Sequence, residues 1–187
     1  FQGVSPSSAA MLSFIPKVVG FAALLRLLPV CVGLTGFVNW MPEGAVRGIL
    51  TVIAVLTMVI GNLLALRQSS LLRLLAYSSI KNMGIIAFGV GVGGFALYGA
   101  FLHIIHHSLL KSSLFLSAGN ILLGFGTKQV QRIGGIIDHL PKTFISFFAG
   151  FIGISGLPPF RMFISEVVII IGAFQEHRYL SVSFFLL

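Results

Sequence analysis

Acidic residues are almost absent from this sequence. Its 187 residues include only 4 Asp and Glu against 12 Lys and Arg, and charged residues make up 9% of the chain. A soluble domain carries about 25% charged residues, and a soluble core cannot bury a chain that is 57% hydrophobic. Together with a mean hydropathy of +1.05, this scarcity excludes an ordinary soluble domain and predicts a membrane protein.

Cysteine is equally scarce, because Cys31 is the only one. A single cysteine excludes an internal disulfide and, without partner ligands, a cluster or metal motif. The net charge of +8 raises the question of nucleic acid, but the basic residues are not clustered with interleaved aromatics as a nucleic-acid surface requires. We therefore expect no nucleic-acid partner.

Catalytic motifs are missing as well. No nucleophile, phosphate-binding loop or carboxylate pair for hydrolysis is visible, so we expect no direct chemistry by this chain. No signal-peptide pattern is visible at the start of the given sequence, because no basic region precedes a short apolar stretch and a small-residue cleavage site. The sequence begins at Phe1 and ends inside an apolar run at residues 181–187, and we expect it to be a piece of a longer protein.

Long apolar segments dominate what is present. Each membrane crossing needs about 20 mostly apolar residues, and the segments predict an all-α fold, a polytopic transmembrane helix bundle. It has about five full helices and the start of a sixth. The predicted helices are residues 7–32, 45–66, 74–92, 95–123 and 142–174, separated by a loop at 33–44, a basic turn at 67–73 and a polar stretch at 125–141.

The fifth segment is interrupted. Its 33 residues exceed one straight crossing, and its interior contains Gly156, Pro158 and Pro159. Two consecutive prolines remove two backbone donors and clash with the preceding turn, so a continuous helix is not expected. Interrupted helices at membrane depth often mark ion sites in transporters, although a kinked structural helix is the alternative.

Positive residues are distributed unequally between the two ends of the predicted helices. If the first helix begins on side A, five positive residues lie there and two or three on side B, which makes side A the cytoplasmic side. Side A receives Arg67, Arg73, Lys128, Arg132 and Lys142, whereas side B receives Arg47 and Arg178, with Arg26 near its end. We expect an integral protein of a prokaryotic inner membrane with the N-terminal end of this sequence cytoplasmic.

The fourth segment carries three basic residues on one helical face. His103, His107 and Lys111 recur at i, i+4 and i+8, which forms a column about 12 Å long at ~1.5 Å per residue. An imidazole accepts a proton on one nitrogen and releases one from the other, which suits a proton relay. Structural core histidines and histidines that share a metal or bind haem are the alternatives. The nearby Lys111 would repel a metal cation.

Two further ionisable residues lie inside apolar segments. A charge within the bilayer costs at least about 2.5 kcal/mol and needs a partner, water or a function. Lys17 lies about a third of the way into the first segment, where reaching the interface is the alternative interpretation. Glu166 follows the prolines and is the only carboxylate well inside an apolar span. Its expected partner is a buried base such as Lys111.

At these residues the sequence resembles the antiporter-like, proton-translocating membrane subunits of respiratory complex I, membrane-bound hydrogenases and multi-subunit sodium/proton antiporters. The hydrogenases include hydrogenase-4 and formate hydrogenlyase, and the resemblance is closest to the hydrogenase-4 type. The matching stretches are residues 74–80, 83–84, 103–111, 113–116, 119–120, 156–160 and 163–166.

The resemblance implies about fourteen helices with two inverted five-helix repeats, each supplying a half-channel. This sequence would then hold the last helix of the first repeat, the second repeat and the start of a following helix, as a single transmembrane domain. Lys17 matches the connecting lysine, His103, His107 and Lys111 the central polar axis, and Glu166 the exit-side group. Some members carry lysine at the last position, and Arg161 departs from the small residue of the family.

The resulting hypothesis is a non-catalytic proton-pumping subunit of a membrane oxidoreductase complex, of the NADH:quinone oxidoreductase or hydrogenase type. Its expected partners are other membrane subunits, a peripheral redox module, the bilayer, and protons or sodium ions, with no cofactor in this chain. A cation/proton antiporter subunit and a haem-binding membrane redox protein are the alternatives.

Overall fold

The computed structural model describes residues 6–38 and 43–176. Their regular structure is helical apart from one antiparallel bridge between Ser70 and Gln129. The helices are α1 (Pro6–Val38), α2 (Glu43–Leu66), α3 (Leu71–Val92), α4 (Gly94–Phe125), α5 (Ile136–His139), α6 (Pro141–Ile154) and α7 (Arg161–Gln175), with a 3₁₀ turn at Val130–Arg132.

Three helices in the described part of the chain are long and apolar enough to cross a membrane. They are α2, with 23 qualifying residues, α3 with 22 and α4 with 32. Helix α6 is apolar but has 14 residues, about 21 Å at 1.5 Å per residue, which is too short to cross alone. The architecture is that of a polytopic membrane helix bundle, as the apolar segments predict.

Helix α4 lies at the centre of this bundle and contacts α1, α3, α6 and α7, while α2 packs along α3. Apolar side chains fill the contacts on both sides of α4. Phe21 of α1 packs with residues of α3 and α4, and Ile169 of α7 packs with another set from α2, α3 and α4. Polar residues on the buried face of α4 are consequently enclosed on several sides.

The predicted loop at residues 33–44 is partly wrong, because α1 continues to Val38. Residues 33–38 contain no proline to stop the helix, and glycine is well tolerated in membrane helices. Pro16 and Pro29 lie inside α1. The remaining loop residues 39–42, together with Arg178 and the apolar run at 181–187, lie outside the described residues.

Small residues allow the helices to approach closely. A Cβ atom on Gly84 of α3 would lie 2.6 Å from Met58 Cγ and 2.9 Å from the carbonyl oxygen of Ala54, both on α2. A Cβ on Gly99 of α4 would lie 2.8 Å from the backbone nitrogen of Ile169 on α7. Glycines at such positions are typical of helix pairs in membranes, where close backbone packing supplies the association energy.

We expect Gly99→Ala to destabilise the bundle by about 1–3 kcal/mol, the usual cost of overpacking. The added methyl group would meet the α7 backbone, which cannot move as a flexible side chain does. The thermal unfolding midpoint of the detergent-solubilised protein measures the effect. Gly20→Ala is the control, because nothing lies within 4 Å of its added Cβ. Equal midpoints for the two variants would contradict the packing account.

Candidate functional site

The column on α4 is buried along its full length. His103, His107 and Lys111 are each 0% exposed. The two imidazole rings are stacked, with centroids 6.2 Å apart and planes at 9°. The i, i+4 spacing predicts a common face, and the structure places all three side chains on it, enclosed by the neighbouring helices.

Lys111 is directed toward α3. Its Nζ donates hydrogen bonds to the carbonyl oxygen of Leu75, at 2.6 Å, and to Ser78 Oγ. The ammonium group also lies 5.8 Å from the ring centroid of Phe115. A fully buried lysine thus obtains its partners from one turn of a neighbouring helix.

His103 connects three helices. Its Nε2 lies 3.1 Å from Asn82 Oδ1 on α3, and its Nδ1 lies 3.0 Å from Ser165 Oγ on α7. Asn82 uses its amide nitrogen to donate to the carbonyl of Ser78 at 2.7 Å, which directs its oxygen at His103. The carbonyl oxygen of Met162 lies 2.7 Å from Ser165 Oγ.

These partners suit either protonation state of His103. A hydroxyl carries one hydrogen and donates to one acceptor at a time. In the neutral form Nε2–H donates to Asn82, and Ser165 donates to Nδ1. In the protonated form both ring nitrogens donate, and the Ser165 hydroxyl turns its hydrogen to the Met162 carbonyl. His103 therefore keeps both hydrogen bonds when it gains or loses a proton.

His107 has a different environment. Within residues 6–38 and 43–176, neither of its ring nitrogens has a hydrogen-bonding protein partner, and the same is true of the buried hydroxyl of Ser108. Buried polar groups are nearly always satisfied by protein or by ordered water. His107 is consequently the position in the column to which the described residues supply no hydrogen bond.

Lys17 approaches the same turn of α3 from α1. Its Nζ donates to Ser79 Oγ at 3.4 Å, and its charge acts on Lys111 and on His107. Lys17 is therefore directed into the helix bundle at the level of Lys111, not toward the end of α1.

The predicted interruption separates α6 from α7. Residues 155–160 are not helical, and Gly156 has φ +74°. Glu166, half-buried on α7, folds back against this glycine: a Cβ on Gly156 would lie 2.6 Å from Glu166 Oε2. The break thus makes room for the carboxylate, and the prediction of a discontinuous helix at Gly156, Pro158 and Pro159 is confirmed.

The structure does not show the expected pairing of Glu166 with Lys111. Lys111 is engaged by α3, and the lysine charge that acts on Glu166 is that of Lys81. The charge of Lys81 also acts on His103. Arg161 begins α7, is exposed, and its charge acts on His106.

Sequence reasoning missed five polar residues that contact or influence the column. They lie on α3 and α7, in segments that the hydropathy pattern and the family motifs describe only as apolar helices. A signal existed on α3, where polar residues recur within an otherwise apolar helix at a spacing of three to four. The five residues are Ser78, Ser79, Lys81, Asn82 and Ser165.

We expect Gly156→Ala to displace the Glu166 carboxylate and to lower the free energy of unfolding by about 1–3 kcal/mol, which the thermal unfolding midpoint measures. The added methyl group would occupy the position of the carboxylate and would also strain the left-handed backbone. Gly126→Ala is a matched control, because Gly126 has φ +63° and nothing within 4 Å of its added Cβ. If both variants lost the same stability, backbone strain alone would explain the result.

Comparison with known proteins places this site in a family. Residues 2–187 match the model described as NADH:quinone oxidoreductase/Mrp antiporter, transmembrane. NADH-quinone oxidoreductase subunit N of Desulforudis audaxviator is 33% identical over 96% of this chain and 35% of its own length. Formate hydrogenlyase subunit 3 of Escherichia coli is 32% identical over 79% of this chain and 27% of its own length.

A solved structure agrees with these relatives. A chain of the membrane-bound sulfane sulfur reductase, an archaeal respiratory membrane complex, superposes with a TM-score of 0.84 at 28% identity, over 95% of this chain and 35% of that chain. The present chain spans about a fifth to a third of the length of the relatives it matches. Because the family model covers nearly every residue, the chain belongs to the NADH:quinone oxidoreductase/Mrp antiporter transmembrane family.

Proposed function

We propose that this chain carries protons across a membrane as a subunit of a redox-driven complex, of the NADH:quinone oxidoreductase or membrane-bound hydrogenase type. It performs no redox chemistry itself and holds no cofactor. Its proton path consists of Lys17, His103, His107, Lys111 and Glu166, on three separate helices. The relatives named as subunits of oxidoreductase and hydrogenlyase complexes support this assignment.

The observation that carries the proposal is the pair of hydrogen bonds at His103. A histidine that serves only to hold helices together needs one protonation state and one set of partners. Here Ser165 is able to donate or accept, because its hydroxyl has a second acceptor in Met162. His103 therefore keeps both hydrogen bonds in its neutral and its protonated form, so the uptake of a proton costs no hydrogen bond.

The other groups of the proposed path lie along the column or next to it. Lys17 and Lys111 meet at α3, and His107 lies between Lys111 and His103 with its nitrogens available to ordered water. Glu166 stands beyond Ser165, next to the helix break and under the charge of Lys81. When one of these groups gains or loses a proton, the electrostatic potential at the next group changes. In an interior of low dielectric constant this change is large enough to shift the protonation of that group.

The proposed function also requires partner subunits and a membrane. Other membrane subunits and a peripheral redox module supply the driving force, and the protein resides in a prokaryotic inner membrane. The excess of positive residues on side A supports a cytoplasmic position for the beginning of α1. The rest of the subunit, which the present chain does not include, supplies the other half-channel.

The test is proton movement by the complex that contains the full-length subunit. The purified complex is reconstituted into liposomes loaded with a pH-sensitive dye and supplied with its electron donor and acceptor. We expect a change in internal pH that depends on turnover and disappears with a protonophore. Sustained turnover with no proton movement would exclude the proposed function.

A sodium/proton antiporter subunit is the second candidate, because the family description includes the Mrp antiporter. Experiments with the same liposomes distinguish the two candidate functions. An imposed sodium gradient without electron donor should move no protons if the redox-driven function is right. Proton movement under those conditions, and its loss when choline replaces sodium, would favour the antiporter.

A further inference from the structure

Two adjacent serines on α3 contact the two lysines of the proposed path. Lys17 Nζ donates to Ser79 Oγ at 3.4 Å, and Lys111 Nζ donates to Ser78 Oγ. The lysines come from α1 and α4, which are far apart in sequence. Their ammonium groups therefore meet at a single turn of a third helix.

One carbonyl oxygen lies at the centre of this turn. The carbonyl of Leu75 accepts from Ser78 Oγ at 3.0 Å, from Ser79 Oγ at 3.1 Å and from Lys111 Nζ at 2.6 Å. Serine hydroxyls in helices often bond a preceding carbonyl and do nothing more. Here the same two hydroxyls also accept from a lysine each, so each uses both its donor and an acceptor position.

This arrangement brings two like charges together. The charge of Lys17 acts on Lys111, and Lys111 is 0% exposed. Two ammonium groups bound to adjacent serines of one helical turn repel one another in a medium of low dielectric constant. One proton shared between the two amines relieves the repulsion and leaves the pair with a single positive charge.

We propose that Ser78, Ser79 and the Leu75 carbonyl form a serine junction through which Lys17 and Lys111 exchange a proton. This inference rests on the proposed function and adds to it the residues that join two of its steps. Ser78 and Ser79 act as positioning and relay groups, and the Leu75 carbonyl holds both hydroxyls between transfers.

The proton moves from Lys111 to Lys17, or back by the same steps, through both serine hydroxyls. The Lys111 ammonium gives a proton to Ser78 Oγ, and Ser78 releases its own hydroxyl hydrogen toward Ser79, directly or across one water molecule. Ser79 accepts that hydrogen and gives its own to the neutral amine of Lys17. Lys111 becomes a neutral amine, Lys17 becomes an ammonium, and both serines remain hydroxyls.

The experiment uses the reconstituted complex with the full-length subunit. We expect the double variant Ser78→Ala and Ser79→Ala to translocate protons about tenfold more slowly or worse, since a hydrogen bond to a charged group contributes on that order. We also expect its solvent isotope effect in deuterium oxide to exceed that of the unmodified complex, because the transfer between the lysines becomes limiting.

Conservative variants separate relay from packing. The double variant Ser78→Thr and Ser79→Thr keeps both hydroxyls, and threonine bonds a preceding helix carbonyl as serine does. We expect it to regain most of the translocation rate. Ser112→Ala is the matched control, because Ser112 also bonds a carbonyl one turn back, that of Ser108, with no lysine among its hydrogen-bond partners.

The outcomes distinguish this inference from the function on which it rests. If Lys111→Ala stops translocation but the double alanine variant pumps normally, the serine junction is excluded and the proposed function stands. Alanine and threonine variants of equal rate would likewise exclude a role for the hydroxyls. If the unmodified complex moves no protons, the proposed function fails. Should the double variant not assemble, Ser79→Ala against Ser79→Thr gives the same comparison at one position.

Discussion

Replacing Lys111 with alanine is expected to stop proton translocation by this subunit, with a loss of at least about 100-fold, the lower end of what a positioned proton-transfer group contributes. Lys111 donates to the Leu75 carbonyl, and it lies one turn from His107 on α4, at the turn of α3 that Lys17 also contacts. Without it the path lacks a proton carrier at its centre. Dye-monitored acidification of liposomes that contain the assembled complex measures the loss.

Two comparison variants show whether the proton or only the charge matters. Lys111→Arg keeps a cation, but a guanidinium does not lose its proton in a protein, so we expect it to fail as alanine does. Lys142→Ala removes an exposed lysine at the beginning of α6 and should leave translocation near normal. Full activity of Lys111→Arg would mean that Lys111 acts as a fixed charge and not as a proton carrier.

Glu166→Gln is expected to have the second large effect, again about 100-fold. Glutamine keeps the size and hydrogen-bonding capacity of the side chain but neither accepts nor releases a proton near neutral pH. The carboxylate lies against Gly156 at the helix break, and such interruptions at membrane depth require protein or water to satisfy the freed backbone groups. Proton translocation in the reconstituted complex is the measurement. Glu176→Gln, at the exposed end of α7, is the matched control and should be nearly silent.

A double-mutant cycle tests the partner of Glu166. If the charge of Lys81 sets the protonation of Glu166, Lys81→Gln lowers translocation, and combining it with Glu166→Gln causes no further loss. Interacting residues give such non-additive effects, whereas independent ones add. Additive losses would show that Lys81 acts elsewhere, for example on His103 alone.

The helical class, the central column and the broken helix were all predictable from the sequence. Helical spacing decides which residues share a face, so His103, His107 and Lys111 had to align once α4 formed. Consecutive prolines interrupt a helix whatever surrounds them, so Pro158 and Pro159 had to fall in a break. These are local properties of the chain, and local rules describe them.

Helix ends were predicted less well because their signals are weak. The prediction ended the first helix at residue 32, where Gly33 begins a less apolar stretch, but α1 continues to Val38. Glycine interrupts helices in water more readily than it does in a membrane, where unpaired backbone groups are costly and favour a continued helix. The environment, not the residue, decided this boundary.

Local sequence rules could not predict which residues contact the ionisable side chains. Lys111 was expected to reach Glu166, yet it binds Leu75 and Ser78, and Lys81 is the lysine whose charge acts on Glu166. Which side chain meets a buried charge depends on the rotation and offset of helices packed against one another. Those quantities arise from side-chain packing between segments distant in sequence, and a hydropathy pattern does not contain them.

The sequence by itself determined that this protein is a membrane helix bundle with titratable groups inside it. A chain with so many apolar residues and so few charged ones is stable only in lipid. Only the tertiary structure decided how those groups are joined: Ser165 and Asn82 to His103, and Ser78 and Ser79 to the two lysines. The reason is geometric, since a hydrogen bond requires atoms about 3 Å apart, and only helix packing brings residues from different segments that close.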